Sequence, residues 1–205
     1  GQPLHAFDLD RLAARARGGK PRITVRRARP GERMTSLDGV DRALDPDTLL
    51  ICDDAGPVAI AGVMGGADSE VTEATRTVLI EAAAFDFINV RRTSKAQKLP
   101  SESSARFGRG VHPALAEPGS KRAAALLVEL AGGRLVGGAI DAYPRPPAPV
   151  VVDLGVSEIA RVLGTSLPMD RARSILEGLE FEVEDLAEGG LRARVPDHRM
   201  DVDGP

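Results

Sequence analysis

Residues 57–113 read PVAIAGVMGGADSEVTEATRTVLIEAAAFDFINVRRTSKAQKLPSESSARFGRGVHP, and this stretch decides how the fold is read. Val58-Ala59-Ile60-Ala61 is a short apolar run of the kind that forms a buried strand. Gly62-Val63-Met64-Gly65-Gly66 follows, a turn or bulge in which glycine permits positive φ and close approach of backbone to another group. Thr77-Val78-Leu79-Ile80 is a second apolar run, and it ends in the carboxylate of Glu81. Phe85, Ile88 and Val90 open a helix that runs towards Lys98 and is broken at Leu99-Pro100. Ser101-Glu102-Ser103-Ser104 then reads as a polar loop, a turn or helix cap, leading into Arg106-Phe107-Gly108-Arg109-Gly110.

Outward from this window the pattern continues. Residues 1–20 begin extended and turn helical, with Leu9, Leu12 and Ala13 as an apolar stripe and Gly18-Gly19 as the stop. His5, between Leu4 and Phe7, is either a packed turn residue or a polar group at the mouth of a pocket. Arg22–Ala28 alternates as a strand, Leu37-Asp38-Gly39-Val40 suits a tight turn, and Leu49–Cys52 is a short apolar strand. Hairpins of this kind favour a mixed or antiparallel sheet. Ser69-Glu70-Val71-Thr72 resembles the start of a helical turn. His112-Pro113 opens a helix over 115–131, whose Ala123, Leu126, Leu127 and Leu130 are expected to pack in the core.

Pro144-Arg145-Pro146-Pro147-Ala148-Pro149 is stiff and proline-dense, and it is the best boundary between two domains, 1–147 and 148–205. The second begins with the strand Val150–Leu154. A helix over Val156–Leu163 stops at Gly164, and another starts after Pro168. Two alternating runs around Gly189-Gly190 complete a winged-helix-like arrangement. The expected class is therefore α+β: a mixed-sheet domain, then a small winged-helix-like one. Arg192 and Arg194 lie on the wing, but Glu182, Glu184, Asp185 and Glu188 lie beside them, which favours a packing or interface module over a nucleic-acid reader.

Composition removes several classes. With 205 residues and 42% hydrophobic content the chain can bury one core per domain. The net charge of -3 means that any contact with nucleic acid must come from a local patch. One cysteine, Cys52, excludes an internal disulfide. No apolar run approaches the roughly 20 residues of a membrane span. Aromatics are 3%, with no Trp, so base-stacking platforms are not expected. The absence of an initiator Met at Gly1 and of a cap at Pro205 is what a piece of a longer chain would show.

No Cys cluster or H-E-x-x-H pattern suggests a metal, and the three histidines are scattered. Glu81 is the chemically demanding residue, because a charge at the end of a buried strand is costly unless paired or wet. It either pairs with Arg91, Arg92 or Arg106, or it accepts a hydrogen bond from a ligand. The residues alone reach no further than a polar pocket of glycine turn, Glu81 and serine loop.

Several stretches together resemble the bacterial phenylalanyl-tRNA synthetase beta subunit: Gly1-Gln2-Pro3-Leu4-His5-Ala6-Phe7-Asp8, Leu37-Asp38-Gly39, Ala61–Gly66 with Ser69-Glu70-Val71, Glu81–Phe85, and Arg106–Val111. The resemblance implies a B3/B4 editing region over 1–147 and a B5 domain over 148–205, both truncated. In that family the first region hydrolyses tyrosine wrongly esterified to tRNA(Phe). The resemblance gives His5 the placing of the hydrolytic water and Glu81 the reading of the tyrosine hydroxyl. It sets Gly65 or Gly66 beside the ligand, and it lays Ser101-Glu102-Ser103-Ser104 on the family's Thr-Glu-Ala-Ser loop. Ser103 departs from the alanine that lines the family's pocket, adding a hydroxyl. The resemblance further implies an alpha-subunit partner in a heterotetramer of two alpha and two beta chains, tRNA(Phe) as substrate, ATP and magnesium for the intact enzyme, and a cytoplasmic location without membrane contact. Asp201 matches a family magnesium ligand, but its companions lie further on, so no metal or other cofactor is expected in this piece. An alternative is a tRNA- or partner-binding module of the same subunit in which editing has been lost.

Overall fold

The computed structural model describes residues 1–187 and 189–204. The chain forms two compact units, Gly1–Gly137 and Gly138–Pro205.

In the first unit, β1 (Leu4–Asp8) leads directly into α1 (Leu9–Arg15). Asp8 is the hinge between them: its Oδ1 accepts from Arg11 N at 2.9 Å, capping the helix, a contact worth about 1 kcal/mol. Then come β2 (Thr24–Arg27), β3 (Arg33–Thr35), β4 (Asp41–Ala43), β5 (Leu49–Cys52), β6 (Pro57–Ile60), β7 (Met64–Gly65) and β8 (Val78–Ala82). Three helices follow: α2 (Phe87–Ala96), α3 (Glu102–Phe107) and α4 (Ala116–Ala131). The central sheet has the order β2-β5-β6-β7, β3 and β4 form a separate hairpin, and β1 pairs with β8; every one of these pairings is antiparallel.

The sequences LLIC of β5 and PVAI of β6 are apolar without alternation because the central sheet is covered on both faces. On one face Leu50, Cys52, Ile60 and Val63 pack with Val90, Leu99 and Phe107 from the helical region. On the other, Ile51, Val58 and Ala59 meet Phe7 and Leu12. The sheet thus stands between two cores, and the second core anchors β1. Arg15 fastens the end of α1, its Nε 2.5 Å from buried Asp53 and its Nη1 2.6 Å from Asp68.

Three local expectations need correction. The serine-rich segment is not a loop. Ser101 caps α3, with Ser101 Oγ accepting from Ser104 N at 3.0 Å and Ser104 Oγ accepting from Ser101 N at 2.9 Å. Ser69–Thr72 starts no helix; a short 3-10 turn covers Ala67–Ser69, and Glu70 is already extended. Helix α4 contributes no buried residue, and Leu130 is 77% exposed. It packs against β8 and the short turn at Pro113–Leu115. Helical spacing reveals an apolar stripe but not how much of it is covered.

The second unit contains β9 (Val151–Leu154), α5 (Val156–Leu163), α6 (Met169–Gly178), β10 (Glu182–Asp185) and β11 (Leu191–Arg194). Its sheet has the order β10-β11-β9, all antiparallel. Val152, Phe181, Ala193 and Val195 form one part of its core, and Ile159, Ala172 and Leu191 the other. Gly164 ends α5 in the left-handed region at φ 68°. The wing arginines are occupied within the sheet. Arg192 makes two 2.7 Å bonds to Asp153, and Arg194 lies 3.6 Å from Glu182. Glu188, read from sequence as part of the acidic surround, lies outside the described residues. No helix among the described residues is long and apolar enough to cross a membrane.

Candidate functional site

The pairing of β1 with β8 sets His5 directly opposite Glu81. Side chains opposite one another in an antiparallel pair share a face, with Cβ atoms about 5 Å apart. Two residues far apart in sequence therefore meet as neighbours. Phe7, two residues after His5 and on the same face, packs edge-on against the imidazole with ring centroids 4.6 Å apart and an interplanar angle of 75°.

The glycine turn supplies the third side. A Cβ on Gly65 would lie 2.6 Å from His5 Cε1, 2.7 Å from His5 Nε2 and 3.1 Å from Leu37 Cδ1. Gly65 is thus the space in which the imidazole sits. Gly66 has a different neighbour: its Cβ would fall 2.8 Å from the carbonyl oxygen of Val58, which already accepts from Gly66 N at 2.7 Å. Gly62, at φ 71°, makes the turn, with Val90, Phe85 and Phe107 packed against its α-carbon. Ser101 joins the same turn by donating from Oγ to Val63 O at 2.7 Å. Ser103 is half-buried in the first turn of α3.

Glu81 is not held by an arginine. Arg91 Nε donates to Gly108 O, Arg106 lies 3.5 Å from Glu102, and Glu81 Oε2 is sealed from solvent without a hydrogen-bond partner. The structural ion pair considered from sequence is therefore absent among the described residues. Burial drives the carboxyl up to about 7. His5 is shifted the other way: burial lowers its pKa, so the imidazole is neutral at neutral pH. The pair thus comprises a neutral base and a carboxyl close to half-protonated whose Oε2 has no partner. Functional sites are where such environments concentrate.

The same burial makes a stability prediction. With a folded pKa of about 7 against an ordinary 4.5, the folded state holds the proton more tightly. This stabilisation is fully present below about pH 4.5 and is lost as pH rises through about 7. Glu81→Gln, which cannot ionise, is expected to be more stable than the parent at pH 8 by roughly 1–3 kcal/mol and near-equal at pH 4. Urea unfolding at the two pH values checks this; an equal difference at both would contradict it.

Asp201 stands apart, in the second unit. Arg199 donates to both of its oxygens, at 2.9 and 3.0 Å, and lowers its pKa. No group of three potential metal-ligating side chains occurs among the described residues. One carboxylate already engaged by an arginine does not make a magnesium site, and no chemistry is routed through it. Sequence reasoning missed Phe7 and Leu37 as walls of the His5 niche. The period of two in β1 points to Phe7, whereas nothing local points to Leu37.

The family model described as B3/4 domain matches residues 1–132, and that described as tRNA synthetase B5 domain matches residues 152–205. The phenylalanine–tRNA ligase beta subunit of Moorella thermoacetica is 48% identical over 204 residues, covering 100% of this chain and 24% of that protein. That of Salinibacter ruber is 46% identical over 202 residues, 98% of this chain and 24% of the relative. The crystal structure of an N-terminal fragment of the phenylalanyl-tRNA synthetase beta subunit from Pyrococcus horikoshii aligns with 97% of this chain and 55% of its own, at 15% identity and a TM-score of 0.46. The chain spans about a quarter of the length of the curated relatives it matches. With both domain models met in sequence order and relatives nearly half identical along its length, the chain belongs to the phenylalanyl-tRNA synthetase beta-subunit family.

Proposed function

We propose that the first unit is an editing hydrolase that releases tyrosine from wrongly charged tRNA(Phe), within a subunit of a ligase that joins phenylalanine to that tRNA. In this reading the editing domain is residues 1–147 and the B5 domain 148–205. The observation that carries it is the unpartnered Glu81 Oε2 beside His5. A sealed, unpaired carboxyl is unsatisfied until a donor arrives, and the phenolic hydroxyl of a tyrosyl ester is such a donor. A phenylalanyl ester brings none and leaves the cost in place. Sites built to pair a hydroxyl reject the analogue lacking it by roughly 10⁴–10⁵, which a size filter for the larger tyrosine would not do.

His5 then places the water. Its neutral imidazole accepts a hydrogen bond from water and can take up the proton as the oxygen attacks the ester carbonyl. The proton passes to the leaving ribose oxygen, and free tyrosine and tRNA(Phe) are the products. Gly65 keeps the imidazole seated, and Ser101 holds α3 to the turn. Ser103 adds a hydroxyl at the α3 side. The ligase reaction, with its ATP and magnesium, and the alpha-subunit partner belong to the whole protein under this proposal.

The test is tyrosine release from Tyr-tRNA(Phe) by the assembled two-subunit enzyme. Release is expected, and His5→Ala is expected to slow it by about 10²-fold while leaving ester binding largely intact. An assembled enzyme that releases no tyrosine would sink the reading and leave a binding module.

A further inference from the structure

Helix α2 and the segment after it are basic out of proportion to the chain. From Phe87 to Ala116 there are six arginines and lysines and one acid, Glu102, in a protein whose net charge is -3. That acid lies 3.5 Å from Arg106. Arg91, Ser94 and Lys95 share one face of α2. This face borders an open groove of about 510 Å³ between α2 and α3, whose other side includes Ser101 and Ser104. Lys98, just past the helix end at Ala96, borders the same groove.

The charges differ in what they do. Arg91 is an anchor: its Nε donates to Gly108 O, and its guanidinium lies over the Phe87 ring, 5.2 Å from the centroid. Lys95 and Lys98 pair with no carboxylate among the described residues. Lys98 also occupies an uncommon backbone position, at φ 50°. Lys98 N donates to Lys95 O at 3.1 Å and Leu99 N to Ser94 O at 2.9 Å, the paired bonds of a helix end that favours glycine at the left-handed residue. A lysine there is strained relative to glycine.

We propose that this groove binds the sugar–phosphate backbone of a single-stranded RNA end, with Lys95 and Lys98 meeting successive phosphates. At about 1.5 Å per helical residue Arg91 and Lys95 stand about 6 Å apart along the axis, and Lys98 follows three residues on, beyond the helix end. One wall of the groove is tied by a hydrogen bond to the glycine turn of the candidate editing site. Ser101, on its wall, donates to Val63 O, two residues before Gly65. The choice of RNA as the strand rests on the editing reading; the anionic chemistry does not.

The experiment measures binding of an eight-residue uridine oligonucleotide to the full-length protein as a function of salt. Lys95→Ala with Lys98→Ala is expected to weaken binding by roughly tenfold at low salt and to reduce the salt slope by about 1.4, two single-strand phosphate contacts. Lys98→Gly separates charge from fold: it is expected to raise the thermal midpoint by a few degrees while still weakening the RNA. An unchanged salt slope in the double variant would overturn the proposal. So would inorganic phosphate displacing the oligonucleotide at equal concentration of phosphate groups, which would mark a single-anion site. Oligonucleotide binding needs no ester, so its failure is distinct from failure of tyrosine release.

Discussion

Glu81→Ala is expected to reduce the preference for a tyrosyl over a phenylalanyl ester by about 10³-fold, with most of the loss on the tyrosyl side. The carboxyl is unsatisfied without a ligand, and a hydrogen bond to a charged group within a dry site is worth about 1.5–3 kcal/mol, to which the cost of leaving a donor unmet is added. Truncation removes both the acceptor and the penalty that disfavours phenylalanine. Glu81→Gln, whose amide oxygen still accepts, is expected to keep a part of the preference. The measure is kcat/KM for deacylation of Tyr-tRNA(Phe) and Phe-tRNA(Phe) side by side. A preference unchanged by Glu81→Ala would remove the carboxyl from substrate recognition. Because the group titrates near 7 in the folded protein, the preference is also expected to grow as pH rises from 6 to 8 and the acceptor becomes a carboxylate.

Gly65→Val is expected to lower tyrosine release by about 10²-fold, chiefly by displacing His5. The added Cβ falls within 2.7 Å of two imidazole atoms, so the ring must leave its seat, and displacement of a reacting group by an ångström is enough for such a loss. Once displaced into water, the imidazole is expected to regain a pKa near the ordinary value of about 6.5, which proton NMR of the histidines reads directly. Gly66→Ala is a useful contrast. Its Cβ meets the Val58 backbone rather than a side chain, so it is expected to damage the β6–β7 pairing and cost stability. If Gly65→Val left both the His5 titration and the hydrolysis rate unaltered, the seat would not be where the imidazole works.

Much of the secondary structure is written in short patterns. LLIC, VLIE and the helix VSEIARVL stopped by Gly164 form where periodicity and caps place them, because each signal is local. The serine segment was legible as a cap but not as a helix: the pairing of Ser101 with Ser104 uses a serine where a capping box has glutamate or glutamine. Helix α4 was legible as a helix, but its exposure was not, since what covers a stripe is decided by distant chain. The same distinction holds for the site. A costly carboxylate at the end of an apolar run singled out Glu81, and resemblance added His5. That the two are cross-strand partners, and that Gly65 exists to admit the ring, depends on a register that pairs His5 with Glu81 across the whole central sheet. No local rule contains that register.

The β1–β8 ladder has a consequence for how the molecule is made. Its strands are separated by the whole central sheet, and the cross-links that close them, Leu9 N to Thr77 O at 3.0 Å and Thr75 Oγ1 to Asp8 Oδ2 at 2.5 Å, are equally remote in sequence. Closing a loop of this length is slow relative to local hairpins. During synthesis β1 therefore waits with its β8-pairing edge bare until β8 has left the ribosome. The pocket is born late, and any ordering of the central sheet before then shortens the time that edge is exposed.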